Sequence, residues 1–299
     1  MNTLVHSPLA YAGSKHRVLP WLLPLFPRHI NGFVDLFCGG ANVVANMAGC
    51  GPRYANDANP AMIGIWRTLQ HYDPVCLERE VDRLIARWGL DSHDPAMFNR
   101  YRDWYNTHGG TPVELFVLAV HSFNKQIRFN SAGAYNSSSG KRQHWFTPTV
   151  RENLRAFIPR IHDVEFTCRD FTAFDFTRLN VNGFVYADPP YTLGTAVYND
   201  CPHGTHSWTV DDDRRLFTLL DGLNAHGIRF ALSNVMEHKG RINELLREWV
   251  EEQGLLVHPV GIDYNRCNYH YRAGNRQHPT REVLVTNYRP DGFSQDTLF

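Results

Sequence analysis

The sequence predicts an α/β protein, a Rossmann-like sheet into which a helical block is inserted. Three observations carry this reading. Residues 33–37 (FVDLF) form a strand candidate that runs into the glycine turn Cys38-Gly39-Gly40 and the small-residue helix pattern ANVVANMAG, the opening of a βαβ unit. After residues 53–57 (RYAND), a second strand candidate, no further strand pattern occurs until Val164. Between them, helix starts recur as a capping side chain followed by proline at the first helical position.

Those starts are Asn59-Pro60, Asp73-Pro74, Asp94-Pro95, Thr111-Pro112 and Thr147-Pro148, and Glu114 adds a capping box to the Thr111 case. In VELFVLAVHSF, Leu115, Leu118, Ala119 and Ser122 fall on one helical face. From Val164 the strand candidates are VEFTC, FVYAD, RFALS, LLVHPVGI and EVLVTNY, and residues 209–226 read as an amphipathic helix with Thr209 and Asp212 as its capping box. The division expected is a catalytic domain over residues 1–62 and 161–299, with a helical domain over 63–160.

Composition bounds the function without choosing it. With 43% hydrophobic and 20% charged residues, the 299-residue chain has the make-up of a globular protein. Lys and Arg together number 30 against 30 Asp and Glu, so any nucleic-acid surface must be local. The six cysteines are scattered with no C-x-x-C pair and no signal peptide precedes them, from which reduced thiols and a cytoplasmic location are expected. The most apolar run, VLPWLLPLFP from Val18, is too short and too proline-broken for a membrane span. Cys201, His203 and His206 share one segment, but three such residues in a loop after a strand are read as part of a lid and no metal is expected.

The stretch FVYADPPYTLG from Phe184 is where chemistry is written most plainly. A buried strand has to end at Asp188, because Pro189 and Pro190 have no backbone N–H and a fixed φ. A carboxylate, an unpaired carbonyl and the aromatic Tyr191 are then held at the carboxyl end of a strand, where open α/β sheets bind ligands. The glycine turn after Asp35 allows close backbone approach to a nucleotide-like ligand, and Asp57 ends the next strand candidate where a carboxylate can hold ribose hydroxyls.

Four motifs in this order, LAYAGSKHRVLP from Leu9, FVDLFCGGA from Phe33, YANDANP from Tyr54 and YADPPY from Tyr186, resemble those of the Dam-like (D12 class) DNA adenine-N6 methyltransferases. The resemblance covers nearly the whole chain. FNKQIRFNSAGAYNSSSGK from Phe123 is similar to the family's DNA-contacting hairpin, and NRCNYHYRAGNRQHPTREVLVTNY to its final basic loop and strand. It implies S-adenosylmethionine as cofactor and adenine in duplex DNA as target. Asp188, Pro189, Pro190 and Tyr191 become the catalytic set: the Asp188 carboxylate and Pro189 carbonyl accept the two amino hydrogens of a flipped adenine, Pro190 fixes the turn, and Tyr191 stacks on the base.

By motif position, Tyr11, Ala12, Gly13 and Lys15 are expected beside the methionine part of the cofactor, with Lys15 on its carboxylate. Asp35, Phe37, Gly39, Asp57 and Asp188 are expected along the rest, and Asp170 and Phe171 around its adenine. Lys125, Arg128, Asn130, Asn136, Lys141, Arg142 and Arg272 are expected on DNA, Arg128 on a guanine edge, with Arg151, Arg155, Arg266, Arg276 and Arg281 adding phosphate contacts. Two departures stand out. Ala41 occupies the last glycine place of the family's F-x-G-x-G, and Gln126 and Ser138 stand where GATC-specific members carry an apolar residue and a proline, so a target other than plain GATC is expected. An RNA adenine-N6 methyltransferase and a non-catalytic DNA-binding derivative of the fold are the other readings. A cognate restriction endonuclease is a possible functional partner, and no membrane association is expected.

Overall fold

The structure, a computed structural model, describes residues 3–9, 13–47, 49, 51–92, 94–140, 146–193, 208–260 and 280–291. Strands buried on both faces read as apolar runs, not as alternating ones. Phe33–Asp35 (β1), Arg53–Asp57 (β2), Val164–Cys168 (β3), Phe184–Ala187 (β4) and Arg229–His238 (β5) pair in parallel in the order β3-β2-β1-β4-β5. Arg241–Ile242 (β6) folds back on the end of β5, while Leu256–Pro259 (β7) and Arg281–Thr286 (β8) extend the sheet as β5-β8-β7 through antiparallel pairing. Strand order reverses at β1, which lies between β2 and β4, and the crevice at such a switch point is where open sheets take ligands. Because β8 runs against β5, the first residues of β8 lie beside the carboxyl end of β5, with Glu282 opposite Val235.

The helices are Leu19–Leu22 (α1), Asn42–Ala45 (α2), Pro60–Leu69 (α3), Pro74–Trp88 (α4), Pro95–His108 (α5), Pro112–His121 (α6), Pro148–Ile161 (α7), Val210–Ala225 (α8) and Glu244–Gln253 (α9). All five proline starts hold: Asn59, Asp73, Asp94, Thr111 and Thr147 each accept a backbone N–H of the helix they precede. Both capping boxes, Thr111 with Glu114 and Thr209 with Asp212, are formed. The one-faced reading of α6 does not hold, since every residue from Val113 to His121 is buried. The helix lies in the centre of the block, with α3, α4 and α5 packed around it, and a helix covered on several sides has no polar stripe to keep.

Alternate residues of the central strands feed two cores. Phe33, Phe184 and Tyr186 join Trp66, Phe116 and Phe157 of the helical block, whereas Val34, Val185 and Ala187 join Leu216, Leu220 and Trp249 under α8 and α9. The first core therefore runs unbroken from sheet to helical block, and α3 crosses the expected boundary at residue 62. Among the described residues, no helix is long and apolar enough to cross a membrane.

Candidate active site

Strand β4 ends at Ala187, as the prolines require, and Asp188 leads into a cluster of polar groups from three parts of the chain. Lys15 stands in a short 3-10 turn, Lys15–Arg17, and its ammonium lies 2.9 Å from Asp188 Oδ1 and 3.3 Å from Glu282 Oε1. It also donates to the Tyr191 hydroxyl at 2.8 Å and to the Gly13 carbonyl at 3.5 Å. The Tyr191 hydroxyl is in turn 2.9 Å from Asp188 Oδ1 and 2.9 Å from Glu282 Oε1. Lys15 is buried and the two carboxylates are largely so: the side chains of Lys15, Asp188 and Glu282 are 8%, 16% and 10% exposed. Burial pushes the Asp188 carboxyl above the usual carboxylate range against the pull of the Lys15 charge, and burial beside Asp188 and Glu282 holds the Tyr191 phenol well above its ordinary value.

The glycine turn is fastened from both sides. Gly39, with φ +42°, donates its N–H to Asp57 Oδ2 at 2.8 Å, and its carbonyl accepts from Trp66 Nε1 at 2.8 Å. Cys38 N–H donates to the Asn56 carbonyl at 2.8 Å, and the Asn56 amide donates to the carbonyls of Leu36 and Arg169. Ala41, at the position of the family glycine, keeps left-handed backbone angles of 54° and 23° and immediately precedes α2. Asp35 lies beneath this turn: it is 1% exposed and accepts the Val44 N–H of α2 at 3.2 Å. Burial, reinforced by Asp188 and Asp57 and opposed by the Val44 hydrogen bond, pushes its carboxyl up to about 8. Asp35 thus ties the strand end to the start of α2 beneath the turn.

Across the crevice stands an aromatic triangle. Phe37 and Phe171 are 5.5 Å apart, and Trp208 lies 5.6 Å from Phe37 and 5.5 Å from Phe171. Asp170 caps the short turn that carries Phe171 and pairs with Arg215 at 2.8 Å, while the Arg215 guanidinium sits 5.0 Å over the Phe171 ring. Buried Asp213 accepts from Trp208 Nε1 at 2.8 Å and from the Thr192 hydroxyl, which ties the triangle to the residue after Tyr191.

The segment from Phe123 to Gly140 forms the expected hairpin, closed by bridges between Ser122 and Ser139 and between Phe129 and Tyr135. Its inside is polar: the Gln126 carbonyl accepts from the hydroxyls of Ser122, Ser137 and Tyr135. On its outside a cleft of about 240 Å³ is lined by Phe123, Gln126, Arg128, Asn136 and Ser138 among others. Asn130 Oδ1 accepts the N–H groups of Ala132 and Ala134 and closes the hairpin tip. Lys125 is half-buried with φ +54°, and desolvation lowers its pKa. Arg151 and Arg155 depart from the phosphate-binding expectation, since α7 turns both toward α4, where they pair with Glu78 and, in the case of Arg151, Asp82. Tyr11, Ala12, Lys141, Arg142, Arg272, Arg266, Arg276, Cys201, His203 and His206 lie outside the described residues.

A glycine turn, a carboxylate ending the next strand and the Asp-Pro-Pro-Tyr turn at one switch point have their counterpart among known proteins. The family model of D12 class N6 adenine-specific DNA methyltransferases matches residues 11–259. The chain belongs to this family. It is 39% identical to the modification methylase StsI of Streptococcus sanguinis over 97% of its own length and 44% of that protein's. With the type II methyltransferase M.FokI of Planomicrobium okeanokoites the identity is 37%, over 96% of this chain and 43% of the relative. The chain therefore spans less than half the length of these two relatives. The DNA adenine methylase of Escherichia coli K12 is 26% identical, over 83% of this chain and 85% of that one.

As a D12 class protein the chain has a site that includes residues its motifs do not announce. Glu282 opens an apolar strand pattern and looks like a strand-end acid. Only the antiparallel course of β8 carries it to the crevice. Trp208 and Asp213 are hidden beside the Thr209 capping box, which explains them locally without pointing to the site. Asn56 had a signal in the sequence, as an amide inside a strand pattern where no polar group is expected unless it is fully hydrogen-bonded.

Proposed function

We propose that this chain transfers a methyl group from S-adenosylmethionine to N6 of an adenine flipped out of duplex DNA, and that it serves as the modification partner of a restriction endonuclease. The observation that carries the reaction is the half-buried Asp188-Pro189-Pro190-Tyr191 turn at the switch point, with Lys15 held against it. An adenine amino nitrogen is a poor nucleophile because its lone pair is delocalised into the ring. The Asp188 carboxylate and the Pro189 carbonyl take its two hydrogens, and the lone pair is then localised on nitrogen. The prolines keep both acceptors from relaxing, so that the site acts by positioning and electrostatics. Tyr191 presents its ring to the flipped base while its hydroxyl stays anchored to Glu282.

The donor set suits the cofactor. Phe37, Phe171 and Trp208 offer aromatic faces to an adenine ring, the Asp57 carboxylate suits ribose hydroxyls, and Lys15 suits a carboxylate. S-adenosylmethionine, when bound, supplies a methyl group on a sulfonium. Double-stranded DNA is the substrate that the hairpin fits, with Arg128 and Asn136 at its cleft and Gln126 and Ser138 beside them. Incorporation of labelled methyl groups into mixed genomic DNA tests the reading. Wild-type protein should methylate adenine, and Asp188→Ala should lose at least about 100-fold in rate while still holding DNA. A variant that kept even about a tenth of wild-type turnover would reject Asp188 as the acceptor.

A further inference from the structure

Of the acids that open α8, Asp211 is exposed and pairs with Arg214, and Asp212 closes the capping box on Thr209. Asp213 does neither. It is 2% exposed, yet both of its oxygens are engaged: Oδ1 accepts from Trp208 Nε1 at 2.8 Å, and Oδ2 from the Thr192 hydroxyl. A helix whose inward face carries Leu216, Phe217 and Leu220 needs no acid for its packing. Desolvating a carboxylate there costs free energy that two uncharged donors and the start of a helix only partly offset, and burial pushes the carboxyl up against the pull of its two hydrogen bonds. What the acid gains is a pair of partners from different parts of the site. Trp208 completes the aromatic triangle, 5.6 Å from Phe37 and 5.5 Å from Phe171. Thr192 follows Tyr191, whose hydroxyl is bound by Lys15, Asp188 and Glu282.

We propose that Asp213 is a positioning residue that couples the aromatic triangle to the catalytic turn, so that cofactor and DNA each raise the affinity of the protein for the other. This rests on the reading given above, in which the triangle takes the adenine of S-adenosylmethionine and Tyr191 faces a flipped adenine of DNA. Once a bound ring immobilises Trp208, the indole N–H fixes the Asp213 carboxylate, and the carboxylate fixes Thr192 and the turn before it. The target base then meets a turn that is already ordered, and less free energy is lost in holding it. The same line runs in reverse, because a coupling free energy between two binding events is reciprocal. Asp213 acts only through its two partners.

The coupling is read from the affinity for one labelled duplex, carrying a sequence that wild type methylates, titrated by fluorescence anisotropy with and without saturating S-adenosylhomocysteine. That probe has the adenosine and amino-acid parts of the cofactor and no methyl to transfer. In wild type the two dissociation constants should differ by about tenfold, inside the usual range for coupled sites. Trp208→Phe keeps an aromatic face and loses the N–H, while Thr192→Val keeps the shape and loses the hydroxyl. Each should bring the ratio to about twofold or below, as should Asp213→Leu. Asp213→Asn should keep most of it, because its Oδ1 still accepts from Trp208 and its amide can donate to the Thr192 oxygen. A merely structural role predicts weaker binding of both ligands with the ratio kept in every variant. That result would overturn the coupling, as would a wild-type ratio near one or an Asp213→Asn as uncoupled as Asp213→Leu. Should Asp213→Leu not fold, Trp208→Phe and Thr192→Val decide the matter alone. A wild-type protein that methylates no adenine would sink the underlying reading and the coupling with it, whereas methylation with an unchanged ratio in the variants sinks the coupling alone.

Discussion

At the scale of single residues, position in the fold decides what a motif carboxylate does. Asp35 ends the first strand and belongs to the glycine motif, yet its side chain is buried under α2 and its carboxyl is pushed up to about 8. In an unfolded chain an aspartate titrates at about 3.9. Between those values the folded protein keeps a proton that the unfolded chain has lost, so this residue lowers stability as pH rises through the window and stops doing so above it. Asp35→Asn has no proton to lose and retains an acceptor for the Val44 N–H. Urea midpoints measured from about pH 5 to about pH 8 should therefore fall less in the variant than in wild type. Parallel curves would show that Asp35 is ionised in the fold. Residues at the site divide in the same way by what can be read locally. Asp188 to Tyr191 announce themselves because two prolines after an apolar strand leave few other meanings. Glu282 cannot be found so, since its place depends on the direction of a strand that pairs with one distant in the sequence.

Elements were legible where a local rule sets them. The proline-led caps mark five helices because each satisfies an exposed N–H of the first turn with a side chain next door in sequence. The hairpin strand β6 and the helix α9 had no comparable signal, and α6 took its burial on all sides from partners far away in the chain. The pairing of α7 with α4 is a tertiary choice of the same kind. Arg151 binds Glu78 at 2.8 Å and Asp82 at 2.5 Å, and its guanidinium lies 4.2 Å over the Phe146 ring. Arg155 shares Glu78 at 2.6 Å, and the two arginines hold its carboxyl below the usual range. Removing Arg151 strips Glu78, 10% exposed, of one partner. Arg151→Ala should accordingly cost about 1–3 kcal/mol of stability in urea unfolding and leave duplex affinity nearly unchanged in a fluorescence anisotropy titration. The opposite pattern, full stability with weaker binding to every duplex, would return Arg151 to the phosphate-contacting surface.

At the scale of the whole molecule, zero formal net charge means that no global field draws the chain to DNA, and choice among sequences falls to short-range contacts. The hairpin cleft is where the described residues offer them: Arg128, Gln126, Asn136 and Ser138 line one concave surface, with buried Tyr135 and Ser137 stiffening it from inside. Arginine suits the O6 and N7 of guanine, glutamine suits the N6 and N7 of adenine, and a serine hydroxyl goes to several bases. An apolar side chain and a proline in place of Gln126 and Ser138, as in GATC-specific members of the family, would offer neither hydrogen bond. The recognition sequence should therefore contain the target adenine but differ from plain GATC at one outer position or more. Arg128→Ala should relax the preference at a single base pair, at a cost of about 1–3 kcal/mol on the cognate duplex and little on one already mismatched there. Methylome sequencing of DNA from a methylation-free host expressing the chain measures both. Near-complete methylation of GATC and of nothing else would falsify this reading of the cleft, and the transfer to adenine would stand apart from it, because Asp188 and its acceptors lie on the sheet and not on the hairpin.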